Sequence, residues 1–116
     1  MGSFAVGDVL LVGFPFSNLR QTKLRPAVVI GLSDYSNLIL CQITSKSPDL
    51  LSSVKITSSD LDNPAVLPQT SYIRANKIFT SDPELIVKKL GRLESPARSK
   101  LHAKLTRLFE DLGSVR

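Results

Sequence analysis

The segment at residues 24–31 constrains the fold of this chain more than any other. It reads Leu-Arg-Pro-Ala-Val-Val-Ile-Gly, and three of the four residues at 27–30 are β-branched, which is typical of a strand buried on both faces. Pro26 has no N–H to give to a β-ladder, so we expect it at the first position of the strand, with Arg25 held in an extended conformation before it. The sequence therefore predicts a buried strand with an arginine at its entrance.

Three cations converge at this entrance. Arg20 and Lys23 lie in the preceding polar segment, residues 15–24, which we predict to be a loop, and Arg25 follows them. Guanidinium and ammonium groups that converge in this way are typical of an anion-binding site. The alternative is a set of solvated side chains, since lysine and arginine are mostly exposed in proteins.

Length and composition predict one domain that spans residues 1–116. The chain is 42% hydrophobic, which is enough for a single core. Its longest apolar-rich runs, at 9–16 and 27–43, are interrupted by glycine, proline or polar residues, so we expect no membrane span. The first residues have neither the positive charge nor the long apolar block of an export signal, and we therefore expect a cytoplasmic protein.

The excess of positive charge lies in the C-terminal part of the chain. Residues 1–84 contain seven Lys/Arg and seven Asp/Glu, whereas residues 85–116 contain eight and three, which accounts for the whole net charge of +5. A pI near 9.7 favours nucleic acid as the partner, although an acidic protein segment would satisfy the same field. Composition does not separate these two partners.

Short β-forming segments between clusters of turn formers predict a mainly β fold. The predicted strands cover residues 9–14, 26–31, 38–44, 54–56, 71–79 with a break near 75–76, and 86–93. The second and third should form an antiparallel hairpin across the turn at 33–37. Six or seven such strands predict a compact β-barrel or a strongly curved sheet.

The last segment has the period of an α-helix that would lie on this sheet. Ser95 is a typical N-cap, Pro96 suits the first helical position, and Gly113 is a typical C-terminal stop. One apolar stripe connects them, formed by Leu101, Leu105, Leu108, Phe109 and Leu112.

The available side chains exclude several kinds of catalytic site. Cys41 and His102 are the only cysteine and histidine, which is too few for a zinc site. Cys41 falls in a predicted strand and His102 on the flank of the helix stripe, so we predict structural positions for both. The close pairs of acids lie in turn-forming segments, which favours turn roles over a two-metal nuclease. We therefore expect no metal and no cofactor, and no glycine-rich phosphate loop is present.

RNA cleavage is a reaction that arginine and hydroxyl side chains can support, because RNA supplies its own nucleophile, the 2′-hydroxyl. In-line attack on the adjacent phosphodiester builds negative charge on the phosphoryl oxygens, which a guanidinium and hydroxyl donors stabilise. Arg25 supplies the guanidinium, and the predicted hairpin brings Thr44 and Ser45 close to it. The alternative for Thr44 and Ser45 is an ordinary strand end.

Five short motifs occur in order along the chain. They are Gly-Asp-Val at 7–9, Phe-Pro at 14–15, Leu-Arg-Pro-Ala-Val-Val at 24–29, Gln-Ile-Thr-Ser at 42–45 and Ser-Tyr-Ile-Arg at 71–74. In this order and spacing they resemble the MazF/PemK (Kid) family of toxin ribonucleases, over nearly the whole chain. The resemblance implies an SH3-like β-barrel with a C-terminal helix.

The same resemblance implies a function. Members of this family are expected to be metal-independent, sequence-specific endoribonucleases that cut single-stranded RNA, including mRNA. We expect 2′-hydroxyl attack to leave 2′,3′-cyclic phosphate and 5′-hydroxyl ends, and so to inhibit translation and growth. The family also implies a homodimer, and an antitoxin whose acidic tail covers the RNA groove.

The resemblance implies Arg25 and Thr44 as the catalytic residues. Arg74 matches the arginine of the Arg-x-Asp motif in the PemK branch, whereas Asn76 stands where the acid is expected. Asparagine cannot take up a proton near neutral pH, so a general-base role at that position is lost. We therefore assign Arg25 mainly as the phosphate clamp and proton donor.

Further side chains are candidates for RNA binding or for support of the site. These are Arg20, Lys23, Ser45, Lys46, Tyr72, Arg74 and Asn76. Tyr72 or Phe16 could stack an unpaired base, an interaction worth about 1–3 kcal/mol per base. Packing in the core is the alternative for both aromatic side chains.

Two other function classes remain open at this stage. One is a non-catalytic SH3-like barrel that binds nucleic acid or protein. The other is a gyrase poison of the CcdB type, which resembles the same fold but depends on an aromatic C-terminal end. This chain ends in Gly-Ser-Val-Arg and contains no tryptophan, which disfavours the gyrase poison.

Overall fold

A computed structural model of the chain describes residues 3–15, 22–46, 48–63, 67 and 69–113. Within these ranges, short 3₁₀ turns connect most of the strands, and a single α-helix follows the last strand. The elements are β1 (Asp8–Pro15), β2 (Thr22–Leu32), β3 (Leu38–Thr44), β4 (Ser53–Ile56), β5 (Ser71–Ser81), β6 (Ile86–Arg92) and α1 (Ser95–Leu108). The prediction of a mainly β fold with a C-terminal helix is confirmed.

The strands form one antiparallel sheet. Its order is β4-β5-β3-β2-β1-β6, with register shifts in three of the ladders that bend the strands. Leu61 and Leu93 form an isolated antiparallel bridge beyond the ends of β4 and β6. In the described part of the chain β4 and β6 are not paired with each other, so the predicted closed barrel is not confirmed.

Alternating side chains cover both faces of the central strands. One face carries Val28, Cys41, Ile43 and Ile73, which pack with the α1 residues Ala97 and Leu101 in one cluster. A separate cluster on the opposite face contains Leu10, Val12, Ala27, Val29, Leu38 and Leu40. Because 27–29 are completely buried, the prediction of a strand covered on both faces is confirmed.

The prediction for the start of β2 is wrong. Pro26 was expected to begin the strand, but β2 begins at Thr22 and carries both Arg25 and Pro26 inside it. Pro26 is opposite Leu11 of β1, whereas the ladder to β3 begins only at Ala27. Proline is tolerated there because the strand has a single neighbour at that position.

The middle strands match the prediction closely. β3 has the predicted bounds, and β2 and β3 pair as the predicted antiparallel hairpin. β5 is one continuous strand, Ser71–Ser81, so the break expected near residues 75–76 is absent. Its register to β3 shifts there instead, between the pairs Cys41–Ile78 and Ile43–Ile73. β6 ends at Arg92, one residue earlier than predicted.

Both predicted ends of the helix are wrong. Glu94 is the N-cap in place of Ser95, and α1 ends at Leu108 with Phe109 as its C-cap. A separate 3₁₀ turn, Glu110–Gly113, follows. The stripe ends early because its last residues lack cover, with Phe109 and Leu112 exposed by 50% and 85%. In the described part of the chain, no helix has both the length and the apolar character needed to cross a membrane.

Candidate active site

The β2–β3 hairpin brings the two predicted catalytic residues to one place. Ala27 is opposite Gln42 in the ladder, and continuation of this register places Arg25 opposite Thr44. Both residues line an open cavity of about 300 Å³ at the end of the hairpin. Pairing of β2 with β3 therefore brings these two residues close in space, although they are distant in sequence.

The cavity, here named the hairpin cavity, has a cationic and polar lining. Arg25 and Lys46 contribute the charge, and both are exposed. No carboxylate and no imidazole is among the described residues that line it. The full lining consists of Arg25, Pro26, Gln42, Ile43, Thr44, Ser45, Lys46, Leu67, Gln69 and Ser71.

Local hydrogen bonds orient the hydroxyl groups of the cavity. The backbone N–H of Lys46 donates to Oγ1 of Thr44 at 3.1 Å, which leaves the hydroxyl proton of Thr44 available for an acceptor in the cavity. The hydroxyl of Ser71 donates to the carbonyl oxygen of Gln69 at 3.2 Å. Thr44 is therefore set up as a donor, whereas Ser71 stabilises the chain that leads into β5.

A row of polar side chains extends from the hairpin cavity across the sheet. Tyr72 of β5 is opposite Thr44 on one side and Lys55 of β4 on the other. Directly opposed residues lie on the same face of a sheet, so Thr44, Tyr72 and Lys55 form one row across three strands. Arg25 extends this row to β2, beyond the last paired residues of the β2–β3 ladder. At a strand spacing of about 4.8 Å, this row is about 14 Å long.

Arg74 and Asn76 lie further along β5 and do not line the hairpin cavity. Arg74 is opposite Ser53 of β4, and its Nε atom is buried with no hydrogen-bond partner among the described residues. Asn76 is exposed and falls where the register of β5 to β3 shifts. The structure therefore places both residues near the polar row but outside the group around Arg25.

The remaining predicted residues have different positions. Ser45 and Lys46 line the hairpin cavity, and Tyr72 is half-buried beside it. Lys23 is exposed on β2, two residues before Arg25, and is not part of the lining. Arg20 and Phe16 lie outside the described residues.

Comparison with known proteins identifies the family. Residues 5–109 match the family model of the PemK-like, MazF-like toxins of type II toxin–antitoxin systems. The chain belongs to this family. Among curated proteins, no relative matches it.

Solved structures of MazF proteins and endoribonucleases share the fold of this PemK-like chain. A mycobacterial endoribonuclease in complex with its cognate antitoxin has a TM-score of 0.74 at 15% identity, with 93% of this chain and 96% of that chain covered. The Mycobacterium tuberculosis toxin MazF-mt6 has a TM-score of 0.69 at 15% identity, covering 89% and 96%. MazF from Deinococcus radiodurans has a TM-score of 0.70 at 19% identity, covering 95% and 99%.

Sequence reasoning missed six lining residues of this PemK-like site. Gln42 has a detectable signal, because it alternates with Leu40 and Thr44 and interrupts the apolar residues on that face of β3. The other five are Pro26, Ile43, Leu67, Gln69 and Ser71. Leu67 and Gln69 come from the long connection before β5, which has no periodic pattern that could place it against the hairpin.

The cysteine and the histidine of the chain lie away from the hairpin cavity. Burial raises the pKa of Cys41 to about 12, so its thiol stays protonated and is a poor nucleophile. His102 is exposed on α1. Among the described residues, no three His, Cys, Asp or Glu side chains come together as metal ligands.

Proposed function

We propose that this chain, as a single domain of residues 1–116, is a metal-independent and sequence-specific endoribonuclease toxin that cuts single-stranded mRNA. One observation carries the proposal: Arg25 and Thr44 line the same open cavity, in which no acidic side chain of the described residues competes with a phosphate. The family match supports a toxin role. Two structures with a similar fold are those of mycobacterial endoribonucleases, which supports the reaction class.

The side chains around the cavity suit stabilisation of a phosphorane. The 2′-oxygen of the substrate attacks the adjacent phosphorus, the bond from phosphorus to the 5′-oxygen breaks, and a 2′,3′-cyclic phosphate forms. The guanidinium of Arg25 binds two of the phosphoryl oxygens, and the hydroxyl of Thr44 donates to one of them. Lys46 adds positive charge at the edge of the same cavity.

The absence of a carboxylate or imidazole from the described lining determines how protons move. The proton of the 2′-hydroxyl passes to water, because no described side chain in the cavity is a base near neutral pH. Arg25 donates a hydrogen bond to the leaving 5′-oxygen and protonates it, with water restoring its charge. Asn76 lies outside the cavity, so its replacement of an acid does not remove a group that contacts the scissile phosphate.

The polar row offers a binding surface to the nucleotides next to the scissile phosphate. Tyr72 lies directly beside Thr44 and offers a ring to an unpaired base, and Lys55 lies one strand further. Base stacking on aromatic rings and cations along the backbone are the usual means of binding single strands. The RNA therefore runs from the hairpin cavity across β5, where Arg74 also lies on the same face.

The protein partners of this chain are proposed by analogy with other members of the family. A MazE–MazF complex from Deinococcus radiodurans and a mycobacterial endoribonuclease with its cognate antitoxin are known. We propose a homodimeric toxin in the cytoplasm whose inhibition of growth is relieved by an acidic antitoxin. We also propose an SH3-like barrel, supported by the Leu61–Leu93 bridge between the ends of β4 and β6.

The experiment that tests this function is incubation of the purified chain with a mixed single-stranded RNA, followed by mapping of the new ends. We expect cleavage in excess chelator, with 2′,3′-cyclic phosphate and 5′-hydroxyl ends. A substrate with a 2′-deoxy nucleotide at the scissile position should not be cut, because the nucleophile is missing. A strict requirement for Mg²⁺, or normal cleavage of the deoxy substrate, would contradict the mechanism.

Binding without cleavage would instead support a non-catalytic RNA-binding protein. The affinity for uncut RNA should fall with salt, with a slope of about 0.7 per phosphate contact on a single strand. An affinity that does not change with salt would contradict the electrostatic basis of the site.

A further inference from the structure

A second group of cations lines a cleft between β4 and α1, which we call the β4–α1 cleft. Its volume is about 410 Å³, and its cations are Lys55 of β4 with Lys100, Lys104 and Arg107 of α1. None of the four has an ion pair among the described residues. No acidic side chain is among the described residues that line the cleft, so its positive field is not neutralised locally.

The β4–α1 cleft runs along the outer edge of the sheet. Three consecutive residues of β4, Ser53 to Lys55, contribute to its lining. Successive side chains of a strand point to opposite faces, so a cleft that meets all three follows the edge of the strand. In the described part of the chain β4 pairs only with β5, and its outward N–H and C=O groups have no strand partner.

The spacing of the cations matches an extended peptide. Lys100 and Lys104 are one helical turn apart, about 6 Å along the axis of α1, and Arg107 continues the same stripe. Alternate side chains of an extended strand are about 6.6–6.8 Å apart on one side. We propose that the β4–α1 cleft binds an acidic protein segment as an added β-strand, whose backbone pairs with β4 and whose alternate carboxylates contact Lys100, Lys104 and Arg107.

Two other occupants fit the cleft less well. Single-stranded RNA is usually bound by aromatic stacking, but the described lining has no aromatic side chain, its remaining members being Val54 and Ala103. A second copy of the chain in a two-fold arrangement would place the same cations opposite one another, and like charges in contact disfavour association. An acidic strand matches both the charge of the cleft and the edge of β4 that has no strand partner.

A labelled peptide tests the proposal on the full chain. The probe is an acetylated and amidated peptide in which Asp or Glu alternates with Val over eight residues, and its binding is followed by fluorescence anisotropy. Lys104→Glu should weaken binding about tenfold or more by charge reversal, whereas Lys88→Glu, an equal change of charge on exposed β6, should leave the affinity within about twofold. Circular dichroism and thermal unfolding should show that both variants fold, since Glu and Lys have similar helix propensity.

The backbone part of the proposal is tested on the unchanged protein. A peptide with the same side chains but alternate N-methylated amides cannot pair with a strand edge, and its affinity should fall about tenfold. Equal binding of the methylated peptide would contradict strand addition.

The remaining outcomes are also decisive. Equal loss of binding in Lys104→Glu and Lys88→Glu would show attraction by net charge alone and would overturn the proposal. Binding of a 2′-deoxy oligonucleotide that depends on Lys104, without binding of the peptide, would make the cleft a nucleic-acid site and would also overturn it. Arg25→Ala protein should bind the peptide with full affinity, so failure of RNA cleavage and failure of this proposal can be told apart.

Discussion

The hairpin cavity and the start of β1 both concentrate cations, but they use them differently. At the start of β1, Asp8 is buried and pairs with Lys89 at 3.2 Å and Arg92 at 3.0 Å, both from β6. At the hairpin cavity, Arg25 and Lys46 face an opening that has no acidic side chain among its described residues. The first group stabilises the fold, and the second is available to an anion from outside.

The lowered pKa of Asp8 shows that its hydrogen bonds and ion pairs favour the charged carboxylate. Burial by itself would raise the pKa of Asp8, but hydrogen bonds from the backbone of Ala5 and from Lys89 and Arg92 outweigh it and lower the pKa below its usual value. The carboxylate therefore stays charged and holds β6 against the start of β1. The first residue of β1 thus neutralises part of the charge excess that the sequence assigns to the C-terminal part.

The largest effect is expected for Arg25→Ala, which should lower the cleavage rate by at least about a hundredfold. Loss of a group that stabilises developing negative charge costs about 3–4 kcal/mol in comparable sites. Because Arg25 is exposed, circular dichroism and the unfolding midpoint should not change. Arg25→Lys should restore little, since a point charge does not replace the planar fork of the guanidinium.

Lys88→Ala is the matched control for Arg25→Ala, because it removes an exposed cation of β6. It should cleave at the rate of the unchanged chain. Full activity of Arg25→Ala with an unchanged spectrum would move the site elsewhere, and Arg74 would then be tested next. Loss of toxicity on expression of Arg25→Ala without an antitoxin would support the same assignment in cells.

A smaller loss is expected for Thr44→Val, about tenfold to a hundredfold in cleavage rate. Valine has a similar shape but cannot donate to a phosphoryl oxygen, and it also removes the acceptor of the Lys46 N–H. That N–H is exposed and can turn to water, so stability should change little. Single-turnover rates on a short RNA measure the effect, and a rate equal to that of the unchanged chain would remove Thr44 from the mechanism.

The opposite pattern is expected for Asp8→Asn, which should lower stability and leave cleavage intact. Loss of the charge-assisted hydrogen bonds to Arg92 and Lys89 should cost about 1.5–3 kcal/mol in the free energy of unfolding. Urea titration at neutral pH measures this difference, with Asp34→Asn on the exposed 3₁₀ turn as the control. A loss of cleavage in fully folded Asp8→Asn would contradict the assignment of different roles to the two groups of cations.

The smallest expected effect is the pH dependence of the stability that the Asp8 carboxylate contributes. Because the pKa of Asp8 is lower in the folded state than its ordinary value of 3.8, its contribution is complete above that value and is lost as the pH falls through the folded pKa. The stability difference between the unchanged chain and Asp8→Asn should therefore be constant from pH 7 to about 5 and shrink below about 4. A difference at pH 2 as large as that at pH 7 would contradict this linkage.

The sequence alone predicted the central strands and the proximity of Arg25 to Thr44, which line the same cavity. β3 has its predicted bounds, Leu38–Thr44, because its apolar residues are confined between strong turn formers. A hairpin has one register once its turn is fixed, so the two residues could be brought together before the structure was known. Local patterns were sufficient wherever the deciding interactions lie within one hairpin.

Tertiary structure decided the features that depend on distant segments. The first residues of β2 are polar and become a strand only because β1 pairs with them, and α1 ends where its apolar side loses cover. Arg92 donates to Asp8 across 84 residues of sequence, and the long connection supplies Leu67 and Gln69 to the hairpin cavity. No local pattern encodes these contacts, because their free energy comes from burial and charge pairing that exist only after the sheet has formed.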